Sequence, residues 1–239
     1  MKVLCFDIWG DYGHFRKFYT TSSPLTFSFP PPPTLTGIIG AIYGAERDEY
    51  LEIFSFSKCR IALRIMNPVK KVRMGINLIN TKGKHWSLHR DKYHEPRTQI
   101  RTEFLREPCY RIYFSHKDQY LQKKLAEQLL LHESVYTPSL GLSELIANFR
   151  FEGEFEAEFR ETGGFVDLSS PVIFSNIIDG NIEIESGKRY FKEKIPIMMN
   201  QDRVVECYGD VIFEADGKSI KANVKNYCAL ENGENVTFF

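Results

Sequence analysis

VLCFDIWGDYGHFRKFYTTSSPLTFSFPPPPTLTGIIGAIYG, residues 3–44, is the stretch that decides the fold of this chain. Its first residues belong to an apolar run, residues 2–9, which is typical of a buried strand. Two glycines then interrupt the run, and residues 10–19 (GDYGHFRKFY) bring aromatic rings and cations together. Four consecutive prolines follow at 30–33, and such a run is extended and cannot become helical before its end. The stretch therefore predicts a strand, an aromatic and basic turn, and a stiff approach to the next element.

A helix is predicted directly after the prolines. Apolar residues recur there at the spacing of one helix face: Leu35, Ile38, Ile39, Ile42 and Tyr43. Thr34 or Thr36 is expected to cap its start. A second stripe holds only small residues: Gly37, Gly40, Ala41 and Gly44. Because a helical glycine costs about 1 kcal/mol relative to alanine, the stripe indicates either close approach of another backbone, from protein or nucleic acid, or packing on a sheet.

The order of the remaining elements predicts the fold class. Strands are expected at 58–66, 109–114 and 149–159, and a second amphipathic helix at 118–131. Residues 69–79 and 98–105 flank a polar stretch and are expected to be the arms of a long hairpin. The resulting order, βαββαβ, predicts an α+β fold with a ferredoxin-like core shared by RNA-recognition domains. We assign residues 1–160 to this domain and the strand-rich, turn-punctuated residues 161–239 to a smaller β-rich region.

The net charge of zero hides an uneven distribution. Residues 1–124 contain 21 Lys and Arg against 11 Asp and Glu, a net of +10, and residues 125–239 contain 10 against 20, a net of −10. Such a split suggests a polyanion partner for the first half. The alternative is that the two halves mix in space and their charges largely cancel.

Several classes of protein are not expected. The chain has 43% apolar residues but no run of about 18 to 20 that would span a membrane, and Asp7 interrupts the position where a signal peptide would stay apolar. A soluble cytoplasmic protein without a membrane partner is predicted. The five cysteines are odd in number and never form a CxxC pair, which argues against disulfides and against a zinc cluster.

Cofactors and metals are not expected either. No Walker A loop, strand-following GxGxxG, GxSxG elbow or HExxH occurs, so we predict no cofactor and no small-molecule substrate. The histidines at 85, 89 and 94 have a spacing that suits zinc, but the cations around them would repel a metal ion, so no metal site is predicted.

The turn after the first strand is the first candidate RNA-binding site. Its rings for stacking bases are those of Trp9, Tyr12, Phe15 and Tyr19, and its charges for phosphates are those of His14, Arg16 and Lys17. Unpaired nucleic acid is held by this combination of side chains. The helix start at Thr34, Thr36 and Gly37 is expected to add free backbone N–H groups as an anion site. An ordinary aromatic core with a solvated loop is the alternative.

The polar stretch inside the hairpin is the second candidate. Its RNA-binding candidates are Lys82, Lys84, His85, Arg90, Arg97 and Arg101. Cations along a hairpin tip suit a strand of phosphates, although a solvated loop has the same composition. Tyr12, His14, Lys84 and His85 also contain the groups that a metal-independent ribonuclease needs. These residue types occur on almost any RNA-binding surface, so cleavage stays the alternative function.

Residues 3–44 resemble the opening of the fifth CRISPR-associated (Cas) protein family. The shared pattern is a strand, an HFR-like aromatic and basic turn, a proline-rich approach and a small-residue helix like TLTGIIGAIYG. Weaker similarity follows in RTQIRTEFLREPCYRIYF (97–114) and YTPSLGLSELIANF (136–149). The last ninety or so residues add nothing to the resemblance.

The resemblance implies a function as well as a fold. Members of this family belong to the repeat-associated RNA-binding (RAMP) superfamily and cap the 5′ handle of CRISPR RNA in Cascade, beside the backbone and large subunits. Residues 69–105 would correspond to their β-hairpin thumb. The chain is most similar to type I-B members, in whose systems a separate endonuclease cleaves the repeat. The Tyr, Lys and His with which type I-C members cleave RNA have no matching positions that we can assign here, so no catalytic residue is expected. We hypothesise that the acidic half faces away from RNA and meets basic neighbours in the complex.

Overall fold

The computed structural model of the chain describes residues 1–20, 23–80, 95–161 and 163–239. It is a mixed fold with few helices and mostly antiparallel sheets. The elements of the first two thirds are β1 (Lys2–Trp9), β2 (Tyr12–Gly13), α1 (Pro32–Tyr43), α2 (Tyr50–Ile53), β3 (Cys59–Ile65), β4 (Lys71–Ile79), β5 (Arg97–Arg106), β6 (Cys109–His116), α3 (Gln119–Leu131) and β7 (Asn148–Glu161). The strands of the last third are β8 (Phe165–Leu168), β9 (Val172–Ile173), β10 (Ile177–Glu183), β11 (Tyr190–Met199), β12 (Val205–Glu214), β13 (Ile220–Val224), β14 (Asn226–Leu230) and β15 (Asn235–Val236), with a 3₁₀ turn at Phe174–Asn176.

A six-stranded antiparallel sheet forms the centre of the molecule, in the order β15-β14-β7-β1-β6-β3. Side chains alternate along β1, as they do in any strand. Leu4, Phe6 and Ile8 point into the main core with the apolar residues of α1 and α3, while Val3 and Cys5 pack in a second cluster. The strand predicted at 2–9 is confirmed, and so are the predicted strands near 58–66, 109–114 and 149–159 and the helix near 118–131.

Helix α1 starts earlier than the sequence predicts. It begins at Pro32 with Pro31 as the N-terminal flanking residue, and no side chain caps it. Proline is well suited to the first helical turn, because the N–H that it lacks would have no partner there and its φ is already helical. The expectation that Thr34 or Thr36 caps the helix is therefore wrong, and the Thr36 hydroxyl instead donates to the Pro33 carbonyl, 2.8 Å away.

The small-residue stripe of α1 packs against the same chain. A Cβ added at Gly40 would lie 3.1 Å from the Cβ of Tyr50, and one at Gly37 would lie 3.6 Å from the Tyr50 ring. These contacts let the short helix α2 lie close to α1. The neighbour of these two glycines is therefore a side chain of the same protein and not another backbone, and α1 also contacts strand β11.

The hairpin expected between residues 69 and 105 is formed by β4 and β5. The two strands pair in continuous antiparallel register from Lys71 opposite Leu105 to Ile79 opposite Arg97. Strand β2 pairs with the base of β5, so the turn after β1 belongs to the same three-stranded sheet, in the order β2-β5-β4.

The last third of the chain packs into the main core. Ile195 and Ile197 of β11 and Val211 and Phe213 of β12 belong to the same buried cluster as Leu4. Strands β8, β10 and β13 form a smaller buried cluster with Val172 and Ile212, while β14 and β15 belong to the central sheet. The division after residue 160 stays a prediction. Among the described residues, no helix has both the length and the apolar character needed to cross a membrane.

Candidate nucleic-acid interface

The turn after β1 is fixed to the hairpin through backbone pairing. Tyr12 is opposite Arg106 and Gly13 is opposite Leu105, and the Glu107 N–H donates to the Asp11 carbonyl at 2.8 Å. The Tyr12 ring meets the Phe104 ring edge-on, with 6.3 Å between centroids. Any ligand that touches the turn therefore lies beside the hairpin.

A loop from the far side of the chain supports the turn from behind. The His14 N–H donates to the Leu140 carbonyl at 2.8 Å, and the Leu140 N–H in turn donates to the Leu145 carbonyl across the loop. Gly141 has φ of +104°, and a Cβ there would lie 1.9 Å from the His14 carbonyl oxygen. Only glycine allows this close approach, so the sequence SLGLS at 139–143 fixes where the turn sits.

The hairpin has two chemically different faces. One carries Lys71, Arg73, Asn77, Ile79, Arg97, Gln99, Arg101, Glu103 and Leu105, and the other carries Val72, Met74, Ile76, Leu78, Thr98, Ile100, Thr102 and Phe104. The assignment follows from the register, because residues directly opposite each other in an antiparallel pair share a face. We call the first set the basic face.

Three arginines of the basic face are available to a ligand. Arg97 and Arg101 are exposed, and among the described residues neither forms an ion pair with a carboxylate. Arg73 has a side chain that is 70% exposed and lies 3.8 Å from a Glu103 carboxylate oxygen. The Glu103 side chain is only 12% exposed and also lies 3.7 Å from the Lys71 ammonium, so it keeps a cation when Arg73 turns to a phosphate.

Glu193 joins the turn to the base of the hairpin. Its carboxylate accepts from the Lys17 ammonium at 3.2 Å and from the Ser28 hydroxyl at 2.9 Å, and it lies 3.7 Å from the Lys71 ammonium. Burial lowers the pKa of Lys17, but the Glu193 carboxylate and the Tyr19 hydroxyl raise it by more than burial lowers it. The pKa therefore lies above the ordinary lysine value of 10.5. Lys17 is therefore a charged, internally paired residue.

A cluster of rings lies where the turn meets β12. The Phe18 and Tyr208 centroids are 4.8 Å apart, and those of Phe18 and Tyr19 are 5.1 Å apart in an edge-on arrangement. All three rings are exposed, at 52%, 38% and 59% for Phe18, Tyr208 and Tyr19. The Lys194 ammonium lies 5.6 Å from the centre of the Tyr208 ring.

The turn, the proline-led helix and the hairpin lie within a region that matches a known family. The model of the family described as CRISPR-associated protein (Cas_Cas5) matches residues 3–165, more than half of the chain. The chain belongs to the Cas5 family of CRISPR-associated proteins. No curated protein sequence matches it significantly.

The fold of this chain is similar to that of a solved CRISPR protein. One from Archaeoglobus fulgidus is 14% identical, with 99% of this chain and 98% of that chain covered and a TM-score of 0.57. A chain of a structure described as a CRISPR RNA-guided surveillance complex is 10% identical, with 93% of this chain and 92% of that chain covered and a TM-score of 0.49. The first likeness shows the fold alone.

The predicted RNA-binding residues of this Cas5-family chain differ in exposure. Arg16, Tyr19, Arg97 and Arg101 are exposed, and Trp9, Tyr12, Lys17, Thr34 and Gly37 are half-buried. Lys82, Lys84, His85 and Arg90 lie outside the described residues, as do His89 and His94. The exposed members are the ones that the fold leaves accessible to a ligand.

Two predicted ligand contacts are core residues. The Phe15 ring is 3% exposed and packs against Tyr110, with 6.4 Å between ring centroids, so it offers no face for a base. His14 is 4% exposed, and its Nδ1 lies 2.7 Å from the Glu103 carbonyl, which requires this nitrogen to be the donor. The expectation that these two side chains meet RNA is wrong for this structure, because both are buried.

The anion site expected at the start of α1 is also wrong. A helix start ordinarily leaves about four N–H groups without partners. Here Pro31, Pro32 and Pro33 have no N–H, and the Thr34 N–H donates to the Pro31 carbonyl at 2.8 Å. Thr36 is buried as well. The prolines that pre-form the helix thus remove the donors that would bind a phosphate.

Sequence reasoning missed several exposed residues of this region. Phe18 lies within the quoted turn, but nothing in the sequence distinguishes it from the buried Phe15. Lys71 and Arg73 alternate with Val72 and Met74, and this period of two is the signal that could have placed them on the basic face. Tyr208 and Lys194 lie in the acidic half and reach the turn only through tertiary contacts, so no local signal marks them.

Proposed function

We propose that this Cas5-family protein binds the 5′ handle of CRISPR RNA as a non-catalytic subunit of a cytoplasmic type I surveillance complex (Cascade). In this role it contacts the backbone and large subunits. The observation that carries the proposal is the basic face of the hairpin, where three exposed arginines have no strong partner among the described residues. A neutral chain that concentrates available cations on one projecting sheet presents a surface suited to a polyanion.

The dimensions of the basic face suit a nucleic-acid backbone. Arg97 and Arg101 are four residues apart on one strand, which separates them by about 13 Å. Arg73 lies on the neighbouring strand, and its partner in register is Glu103. The arginines thus form a short line along the hairpin, with the Asn77 and Gln99 amides between them as hydrogen-bonding groups.

The strand order supports a ferredoxin-like core for this RNA-binding role. Strands β7, β1, β6 and β3 are adjacent in that order, α1 follows β1, and α3 connects β6 to β7. A βαββαβ chain with helices on one face is the arrangement shared by RNA-recognition domains. The likeness of fold raises the expectation of RNA binding, while the basic face supplies the contacts.

A charge-matched pair of triple variants tests the RNA-binding part of the proposal. In the first, Arg73, Arg97 and Arg101 are each changed to Gln, and in the second, Arg160, Arg189 and Arg203 are changed to Gln. All six arginines are exposed, and both variants lose three positive charges. Binding of a labelled handle RNA is measured by fluorescence anisotropy across a salt series.

The hairpin variant is expected to bind more weakly, and its plot of log K against log salt is expected to be flatter, by about 0.7 for each phosphate that it no longer binds. The control variant is expected to bind like the wild type. Equal weakening of both variants would mean that net charge and not the hairpin holds the RNA. Absence of salt-sensitive binding by the wild-type protein would end the proposal.

A cleavage assay tests the non-catalytic part. Repeat RNA incubated with purified protein in EDTA is expected to stay intact. The burial of His14 supports this expectation, because a general base must reach the proton that it removes. Cleavage that is abolished in a His85→Ala variant would instead support a metal-independent endoribonuclease.

Co-purification tests the assembly part. The protein is expected to be retained by the backbone and large subunits of the same complex. Replacing exposed acidic residues of the C-terminal half by their amides tests whether this half meets basic neighbours, because assembly that is unchanged would exclude that role. The type I-B subtype stays a prediction, which the neighbouring genes would decide.

A further inference from the structure

Three exposed rings form a continuous aromatic surface beside the basic face. Phe18 and Tyr19 come from the turn and Tyr208 comes from β12, and Phe18 contacts both of the others. We call these three residues the ring platform. Phe18 also lies 6.5 Å from the buried Phe27 ring, so the platform borders the core at this residue.

Cations lie around the ring platform. Lys194 lies against the Tyr208 ring, and Arg16, which is exposed, donates to the Thr20 carbonyl at 3.0 Å. Among the described residues, no carboxylate forms an ion pair with either cation. The nearby carboxylate, Glu193, already binds Lys17, Lys71 and Ser28, and Asp210 is paired with Lys192 at 3.0 Å. The exposed Glu206 lies two residues before Tyr208 on β12. Arg16 and Lys194 are thus the two cations at the rings that no carboxylate pairs with among the described residues.

The location connects the ring platform to the hairpin. Glu193 contacts Lys71, at the base of the basic face, and also Lys17, the residue before Phe18. Glu193 is only 15% exposed, so this link is an internal one. It places the rings near the base of the hairpin, although the residues involved come from both ends of the sequence.

We propose that the ring platform stacks unpaired bases of an RNA strand, with Arg16 and Lys194 beside its phosphates. This site rests on the proposed RNA-binding function and extends it to the C-terminal region. Exposed aromatic faces with adjacent cations are the combination by which proteins hold unpaired nucleic acid, because every base has a face that can stack. A basic peptide would be repelled by the same cations.

The test uses RNA of about ten nucleotides that carries a single 2-aminopurine, whose fluorescence falls when it stacks on a ring. Phe18 and Tyr208 are changed together to Leu, which keeps an apolar side chain and removes the rings. The matched control is Phe165→Leu, because Phe165 is 51% exposed and lies on β8, in a sheet that contains neither the turn nor β12. A Tyr19→Leu variant provides a second reading if the double variant does not fold.

Wild-type protein is expected to quench the probe at one or more positions. The double variant is expected to show no quenching and to bind about ten-fold or more weakly, whereas Phe165→Leu is expected to behave like the wild type. If the hairpin arginine variant binds weakly while the ring variants keep wild-type affinity and quenching, the ring platform is not a base site and the proposed function stands. If the wild-type protein binds no RNA, both proposals fail. Loss of subunit co-purification with unchanged RNA affinity would assign the rings to a protein partner and overturn the inference.

Discussion

At the scale of single residues, Glu193 determines how the turn meets the hairpin. It binds Lys17 of the turn, Ser28 of the segment before α1 and Lys71 of β4, and its side chain is only 15% exposed. Changing Glu193 to Gln would leave two ammonium groups close together without their shared carboxylate. We expect the free energy of unfolding to fall by about 1.5–3 kcal/mol, the usual range for hydrogen bonds to charged groups.

Thermal unfolding checks this prediction, and a fall in Tm of about 2–4 °C for each kcal/mol is expected for a chain of this size. Glu158→Gln serves as the control, because Glu158 pairs with Arg160 on the surface, where both side chains are more than half exposed. Since the pKa of Lys17 is raised above 10.5, its contribution is fully present below pH 10.5 and disappears only at higher pH. An equal Tm for Glu193→Gln and Glu158→Gln would contradict the assigned role.

The residue scale also shows where sequence reasoning stops. The turn contains Phe15 and Phe18, three residues apart, with the same side chain and similar neighbours. One is buried against Tyr110 and the other is half exposed beside Tyr208. An irregular turn has no fixed period, so burial depends on residues about ninety and two hundred positions away and cannot be predicted locally.

At the scale of elements, the loop around Gly141 positions the turn. An alanine there would need a left-handed backbone and would place its Cβ 1.9 Å from the His14 carbonyl oxygen. The loop would have to move, and the hydrogen bond from the His14 N–H to the Leu140 carbonyl would break. We expect Gly141→Ala to destabilise the protein by more than about 1 kcal/mol and to weaken RNA binding as the turn moves.

Thermal unfolding and RNA anisotropy of Gly141→Ala check this prediction together. Gly163→Ala is the matched control, because nothing lies within 4 Å of a Cβ added at that position. Its effect on stability is expected to stay within about 0.5 kcal/mol. A Gly141→Ala protein as stable as this control would show that the loop does not hold the turn in place.

Elements with a regular period can be predicted from the sequence, whereas the start of a helix inside a proline run cannot. The apolar run of β1 and the amphipathic pattern of α3 are enough to place both within a residue or two. The start of α1 is misplaced because proline is compatible with both an extended segment and a first helical turn. The anion site is predicted from the same misplaced start. The prolines exclude it, because they have no N–H groups to bind an anion.

At the scale of the whole molecule, ion pairs between the two halves of the sequence cancel part of their opposite net charges. Cations of the basic half pair with carboxylates of the acidic half: Lys2 with Glu154, Lys17 with Glu193, Arg64 with Glu234 and Arg111 with Glu152. The interpretation that the halves mix in space therefore holds for the central sheet. The hairpin arginines are outside this mixing, so they and not the net charge carry the RNA-binding proposal.

The last third of the chain is expected to be necessary for the first two thirds to fold. Residues 161–239 supply Ile195, Ile197, Val211 and Phe213 to the main core. Each large apolar side chain contributes about 1.5–3 kcal/mol when buried, so losing four of them removes about as much free energy of unfolding as a typical domain has in total.

We expect a fragment of residues 1–160 to show no cooperative thermal transition by circular dichroism and to bind a dye for exposed apolar surface. Adding residues 161–239 as a separate chain is expected to restore part of the transition. A fragment that unfolds cooperatively by itself would instead establish residue 160 as the boundary of an independent domain.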